Sequence, residues 1–159
     1  MSKHRIGIIG GTGLYHIEGF THQKWVKVKT PFGAPSDELL TGKLTGRDVV
    51  FLPRHGRGHR ILPGELNHRA NLWAMRLLGV SQVIGPCAAG SLSPDIHPGD
   101  FVVLDQLVDR TWGRADTYSD EGDTHHVSYA DPYCPVVARH ALESGERVGV
   151  RMHERGTVV

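Results

Sequence analysis

The sequence predicts an α/β fold: a mixed, largely parallel twisted sheet flanked by helices, as a single domain over residues 1–159. Three observations predict it. Apolar runs of strand length recur between glycine or proline signals, at "RIGIIG" (5–10), "RDVVFLPR" (47–54) and "SQVIGPC" (81–87). A stretch with apolar residues at helical spacing separates the last two. The chain, at 159 residues, is long enough to bury a core between such layers.

Taken in order, "RIGIIG" is a short buried strand with glycines directly after it. "KWVKVKT" (24–30) alternates as an exposed or edge strand does, and "PFGAPSD" closes it as a turn. "RDVVFLPR" delivers its C-terminal end into a cluster of arginine and histidine. Leu66, Ala70, Trp73, Ala74 and Leu77 mark a helix from Leu66 to Leu78, with Gly79 as its stop. "SQVIGPC" is the next buried strand, followed by the small residues "AAGS". "PGDFVVLDQLVD" (98–109) reads as a turn and strand, and residues 110–132 as a long polar loop of the kind that carries function. "PVVARHALESG" (135–145) is a helix opened by proline, and "GVRMH" (149–153) a strand. The sequence ends at "GTVV", inside what reads as a new strand. The expectation is therefore an N-terminal portion of something longer, with the C-terminal part of the fold missing.

Charge narrows the function. Lys and Arg number 18 against 17 Asp and Glu, a formal net charge of +1, which argues against a general nucleic-acid or membrane-surface binder. No apolar stretch approaches the ~20 residues that span a bilayer. "MSKHRIGIIGGTG" has no signal-peptide architecture, and Cys87 and Cys134 stand in unrelated contexts. A reduced, cytoplasmic protein is expected.

Against that balance, "RHGRGHRILPGELNHR" (54–69) is a local excess: Arg54, Arg57, Arg60 and Arg69 with His55, His59 and His68 around one acid, Glu65. His55 and His59 have the i, i+4 spacing that aims two imidazoles at one metal on a helix. Gly56 and Gly58 oppose a helix there, and the arginines repel a divalent cation, so no metal is expected. An oxyanion suits the residues better, since arginine offers a planar, permanently charged fork and His55 a further donor. Arg57 and Arg60 remain eligible for an ordinary solvated basic loop.

The other motifs agree with an anion. "GIIGGTGLY" (7–15) fails the dinucleotide pattern because position 16 is His16, and no Walker lysine follows. What remains is a tight loop whose backbone N–H groups, with the Thr12 hydroxyl, suit an anion. In "GPCAAGSLS" (85–93) small residues let the backbone approach a ligand, while Cys87 is expected as a buried structural thiol. In "GDTHHVSYADPYCP" (122–135), His125 and His126 point in opposite directions if the segment is extended; they read as surface histidines, with one free to reach a ligand or a neighbouring subunit.

Together, "GIIGGTGLY", "TPFGAPSD", "RHGRGHRILPGELNHRANLWAM" and "AAGSLSPDIHPGDFVVLDQLVDRT" resemble the methylthioadenosine phosphorylases, within the trimeric purine nucleoside phosphorylase superfamily. The likeness implies phosphorolysis of 5′-methylthioadenosine to adenine and 5-methylthioribose 1-phosphate, with inorganic phosphate as co-substrate, no further cofactor, and a homotrimer as the assembly. It implies that Thr12, Arg54, His55, Cys87 and Ala88 bind phosphate, with Cys87 standing where relatives often carry threonine. It also implies that His126 reaches the 5′ end of a nucleoside across a subunit interface. The aspartate that neutralises the leaving purine is expected beyond Val159. Methylthioinosine or plain purine nucleosides are alternative substrates, and a catalytically inactive fragment is an alternative state. A dehydrogenase module is disfavoured, because the second strand ends at Lys29 and Thr30 without a ribose-binding acid.

Overall fold

The computed structural model describes residues 4–119 and 123–159, without the Thr12 side chain. The chain forms two compact units. One reaches to Ala88 and takes in Arg114–Tyr118; the other comprises Ala89–Gly113 and the chain from Ser119 to Val159.

The first unit is built on a five-stranded sheet of strands β1 (Arg5–Gly10), β2 (Phe20–Val26), β3 (Leu39–Leu44), β4 (Arg47–Pro53) and β5 (Val80–Ile84), in the order β2-β3-β4-β1-β5. β2, β3 and β4 pair antiparallel; β1 pairs parallel with β4 on one side and β5 on the other. Alternation along the strands sorts the core to two faces. Val50 and Leu52 join Leu39, Ala74, Met75 and Val80 on one face, while Val49 and Phe51 join Phe20 and Leu40 on the other. Gly7 lets the helix approach, since a Cβ there would lie 2.8 Å from Val80 Cγ1 and 3.2 Å from Met75 Sδ.

Helix α1 (His68–Leu77) starts where the Asn67 side chain accepts the Ala70 N–H at 3.0 Å. It stops at Gly79, whose φ of 79° only glycine adopts freely. Its buried residues are Ala70, Asn71, Ala74 and Met75, so Ala70 and Ala74 lie on the core face as expected while Leu66 and Leu77 do not. Leu66 lies outside the helix and Leu77 is exposed. Asn71 is not expected on that face, because it is buried for its hydrogen bonds to Ser36, a reason hydrophobicity does not encode. The sequence reading also missed β3, whose "LLTGKL" is too mixed in polarity to stand out.

The second unit holds helix α2 (Pro135–Val148) and four two-residue strands: β6 (Phe101–Val102), β7 (Gln106–Leu107), β8 (Met152–His153) and β9 (Thr157–Val158). β6 pairs parallel with β8, and β7 with β9. The strand expected over 98–109 is broken between β6 and β7, and that expected over 149–153 shrinks to β8. Gly149 instead closes α2 with φ 72°, donating to the Glu146 carbonyl at 3.1 Å. Among the described residues, no helix is long and apolar enough to cross a membrane.

Candidate anion site

In the order β4-β1-β5, three parallel neighbours send their C-terminal ends to one edge of the sheet. The loops leaving that edge are the Gly11 turn, residues 54–61, and the segment carrying Cys87 and Ala88. A crevice at the carboxyl ends of parallel strands is where such sheets hold ligands.

The first two loops are tied together. Arg54 N donates to Gly10 O at 2.9 Å, extending the ladder beyond the paired strands, and Leu14 N closes the glycine turn on Gly11 O at 3.0 Å. A Cβ on Gly11 would sit 3.7 Å from Arg54 Nη2, so the guanidinium lies against the bare backbone of that turn. The loop after Arg54 is a compact coil. Gly56 N donates to Pro53 O, His59 N to Gly56 O, and both Arg60 N and Ile61 N to His55 O, all at 2.9–3.1 Å. Gly56, Gly58 and His59 have φ of 71°, 81° and 52°, which rules out the helix a paired-histidine metal site requires. Tyr15 Oη donates to Gly56 O at 3.0 Å from the opposite loop. Burial raises the Tyr15 pKa, reinforced by the charge of Asp37, so the hydroxyl keeps its proton.

His55 is only 7% exposed. Its Nδ1 lies 2.9 Å from Ile61 O, an acceptor, so Nδ1 carries the hydrogen. Arg54 Nε, which can only donate, faces Nε2 at 3.3 Å. The ring thus orients Arg54 through Nε2, and its Nδ1–H is spent on the backbone. Its ring stacks on that of His59 with centroids 4.5 Å apart. Among the described residues, no group of three or more His, Cys, Asp or Glu is arranged to hold a metal.

The three loop arginines separate by partner. Arg57 binds Asp37 through its backbone N at 2.6 Å, Nε at 3.2 Å and Nη2 at 2.8 Å, reaches Glu38 at 3.1 Å, and lies 4.1 Å over the Trp25 ring. Arg60 Nη2 is 3.4 Å from Asp37 Oδ2. Arg54 has no carboxylate within ion-pair range among the described residues. Burial pushes the Asp37 carboxyl up, but the bonds from Arg57 and from Glu38 N outweigh it, leaving its pKa below the ordinary value. His68, at the start of α1, is pushed down by burial and then by the charges of Arg114 and Arg54. The Arg54 region is therefore electropositive, and among the described residues the Arg54 guanidinium has no carboxylate partner.

Asp37, Ser36, Asn71 and Tyr15 are the site residues sequence reasoning missed. Asp37 stands in "PFGAPSD", read only as a turn; the available signal was an acid in a loop of a chain whose arginines cluster elsewhere. Aromatic contacts explain why Arg114–Tyr118 belongs to this unit. Tyr118 packs against Phe32 at 5.0 Å and donates its hydroxyl to Arg69 O at 2.8 Å.

Cys87 is exposed, which corrects the buried thiol expected of it. It follows β5, the sheet edge among the described strands, whose residues after Val80 are exposed. Ala88 is exposed beside it. The Thr12 side chain lies outside the described residues. His126 belongs to the second unit, is exposed, and stands beside His125, which pairs with Asp123 at 2.9 Å.

Residues 5–159 match the family model described as the Phosphorylase superfamily. The chain is 48% identical over 157 residues to an S-methyl-5′-thioadenosine phosphorylase of Hyperthermus butylicus, covering 99% of this chain and 57% of that protein. It is 47% identical to a purine nucleoside phosphorylase of Streptomyces coelicolor, covering 99% of this chain and 58% of that protein. Among solved structures it resembles methylthioadenosine phosphorylase from Schistosoma mansoni in complex with adenine. That match has a TM-score of 0.90 and 36% identity over 99% of this chain and 65% of that one. The chain thus spans less than two thirds of the relatives it matches.

Proposed function

Because the chain belongs to the phosphorylase superfamily, we propose that it supplies the phosphate side of a nucleoside phosphorolysis site, acting on 5′-methylthioadenosine. The observation that carries this reading is the Arg54 guanidinium, set against the Gly11 turn with no carboxylate partner among the described residues. Phosphate is held by that fork, by backbone N–H groups and the Thr12 hydroxyl of the glycine turn, and by the Cys87–Ala88 segment, while His55, whose N–H is given to Ile61 O, serves by orienting the fork. Inorganic phosphate is the co-substrate, and the reaction calls for no other cofactor.

In the reaction, a phosphate oxygen bonds to C1′ as the C1′–N9 bond breaks. Its electron pair leaves with adenine, which takes up a proton, and the products are adenine and 5-methylthioribose 1-phosphate. Fixed cationic donors keep the nucleophile in line and stripped of water, so positioning and electrostatics carry the rate. His126, exposed on the second unit, is assigned to the 5′ end of a nucleoside bound by a neighbouring subunit of a homotrimer. The Streptomyces coelicolor relative favours a second reading, in which plain purine nucleosides are the substrates.

Inorganic phosphate titration and phosphate-dependent adenine release from 5′-methylthioadenosine test the reading. A hydrogen bond to a charged group contributes ~1.5–3 kcal/mol, so Arg54→Ala weakens phosphate binding roughly ten- to a hundredfold. Arg54→Lys recovers part of the loss, because a point charge does not replace a fork. Equal phosphate affinity in the parent and Arg54→Ala overturns the assignment. Faster phosphorolysis of inosine or adenosine than of 5′-methylthioadenosine selects the second reading.

A further inference from the structure

We propose that Asp37 is a positioning residue for the anion site: it fixes the loop that presents Arg54 and His55, and it acts through Arg57. The inference rests on the phosphate reading above. Asp37 lies in the β2–β3 connection with its side chain 4% exposed. An ionised carboxylate only accepts hydrogen bonds and repels an anion, so its place beside this loop is not that of a ligand group. What it accepts instead is the backbone N–H and guanidinium of Arg57, at 2.6, 3.2 and 2.8 Å. Those bonds fall in the middle of a coil with three positive φ values, at Gly56, Gly58 and His59.

Asp37 is itself anchored from behind. The preceding Ser36 is buried, donates its N–H to Asn71 Oδ1 at 2.8 Å, and receives Asn71 Nδ2 on its hydroxyl at 3.0 Å. Asn71 sits on the buried face of α1. A continuous polar connection therefore runs from α1 through Ser36, Asp37 and Arg57 to the loop. It also occupies Arg57 and draws Arg60 to the same carboxylate, leaving Arg54 as the loop arginine with no carboxylate partner among the described residues.

Electrostatics and positioning predict opposite signs here. Removing a negative charge near an anion site by itself tightens anion binding. Loosening the loop weakens it, because misplacement of a binding group by about an ångström is costly. Phosphate affinity is measured for the parent, Asp37→Asn and Arg57→Lys, with a thermal melt of each. Asp37→Asn is expected to weaken phosphate roughly tenfold against the field effect. Arg57→Lys, which keeps the charge and loses the fork, is expected to weaken it roughly threefold. A Michaelis constant for nucleoside within about twofold of the parent places the effect on phosphate alone.

Asp37→Asn that binds phosphate as tightly as the parent, or tighter, overturns the proposal whatever its melting temperature. Unchanged affinity in Arg57→Lys overturns the route through Arg57. Should Asp37→Asn fail to fold, Arg57→Lys at the half-exposed arginine decides the question. A parent that binds no phosphate refutes the functional reading itself and this inference with it; a binding parent with unaffected variants refutes only the inference.

Discussion

The two units bury their chains very differently. Every large buried apolar side chain among the described residues belongs to the first unit, from Phe20 through Leu52 to Val80. Among the described residues of the second unit only Gly145 is buried, with Met152 packed against it, while Leu92 and Trp112 are 95% and 91% exposed. Both units nonetheless centre a polar cluster on a well-shielded acid. Asp37 gathers Arg57 and Arg60, and Asp100 gathers His153 at 2.8 Å, His97 N at 3.0 Å and Arg151 at 3.6 Å. The difference lies in what remains free. Around Asp37 the cations are neutralised so that Arg54 stands apart, whereas around Asp100 the charges close on one another.

The largest expected effect tests the contrast in burial. Leu52→Ala empties a fully buried position and costs about 2–5 kcal/mol, whereas Val148→Ala, at an exposed position of α2, stays within about 0.5 kcal/mol. Chemical denaturation of the two variants measures this, and comparable losses would break the contrast.

A smaller effect concerns acid. The folded pKa of Asp37 lies below its unfolded value of about 3.9, so its ionised form contributes stability that is complete above that value. The contribution is lost as pH falls through the lowered folded pKa. Asp37→Asn therefore costs ~1–3 kcal/mol at neutral pH, towards the lower end because Arg57 is half-exposed. The gap to the parent closes below pH ~4. Melts from neutral pH down to that range check the prediction, and a gap independent of pH would contradict it.

The elements most legible in the sequence are those defined by a single local rule. β1, β4 and β5 were read as apolar runs, and α2 from its opening proline, although it runs to Val148 and not to 145. Proline fixes a helix start through its own φ, and glycine a stop, with no need of partners. β3 escaped because "LLTGKL" is a strand only through its pairing with β2 and β4. At the site, the arginine and histidine excess is visible as composition, and the structure places the Arg54 guanidinium against the glycine turn with His55 bonded to it. The sequence leaves Arg57 and Arg60 eligible for an ordinary basic loop apart from Arg54, but the physical cause of that sorting is not legible in it. The sorting depends on a carboxylate some twenty positions away, and no local spacing rule links a turn aspartate to a distant arginine. The Cys87 expectation failed for a related reason. A small-residue loop after an apolar run looks buried, yet β5 is the sheet edge among the described strands.

Amide hydrogen exchange with and without inorganic phosphate tests the central claim most directly, because it reads both units in one experiment. The account predicts slowed exchange in the glycine turn after β1, in residues 54–61 and in the segment carrying Cys87 and Ala88, with α2 and β6–β9 unchanged. Protection centred on Asp100, Arg151 and His153, or none in the loops around Arg54, would contradict it.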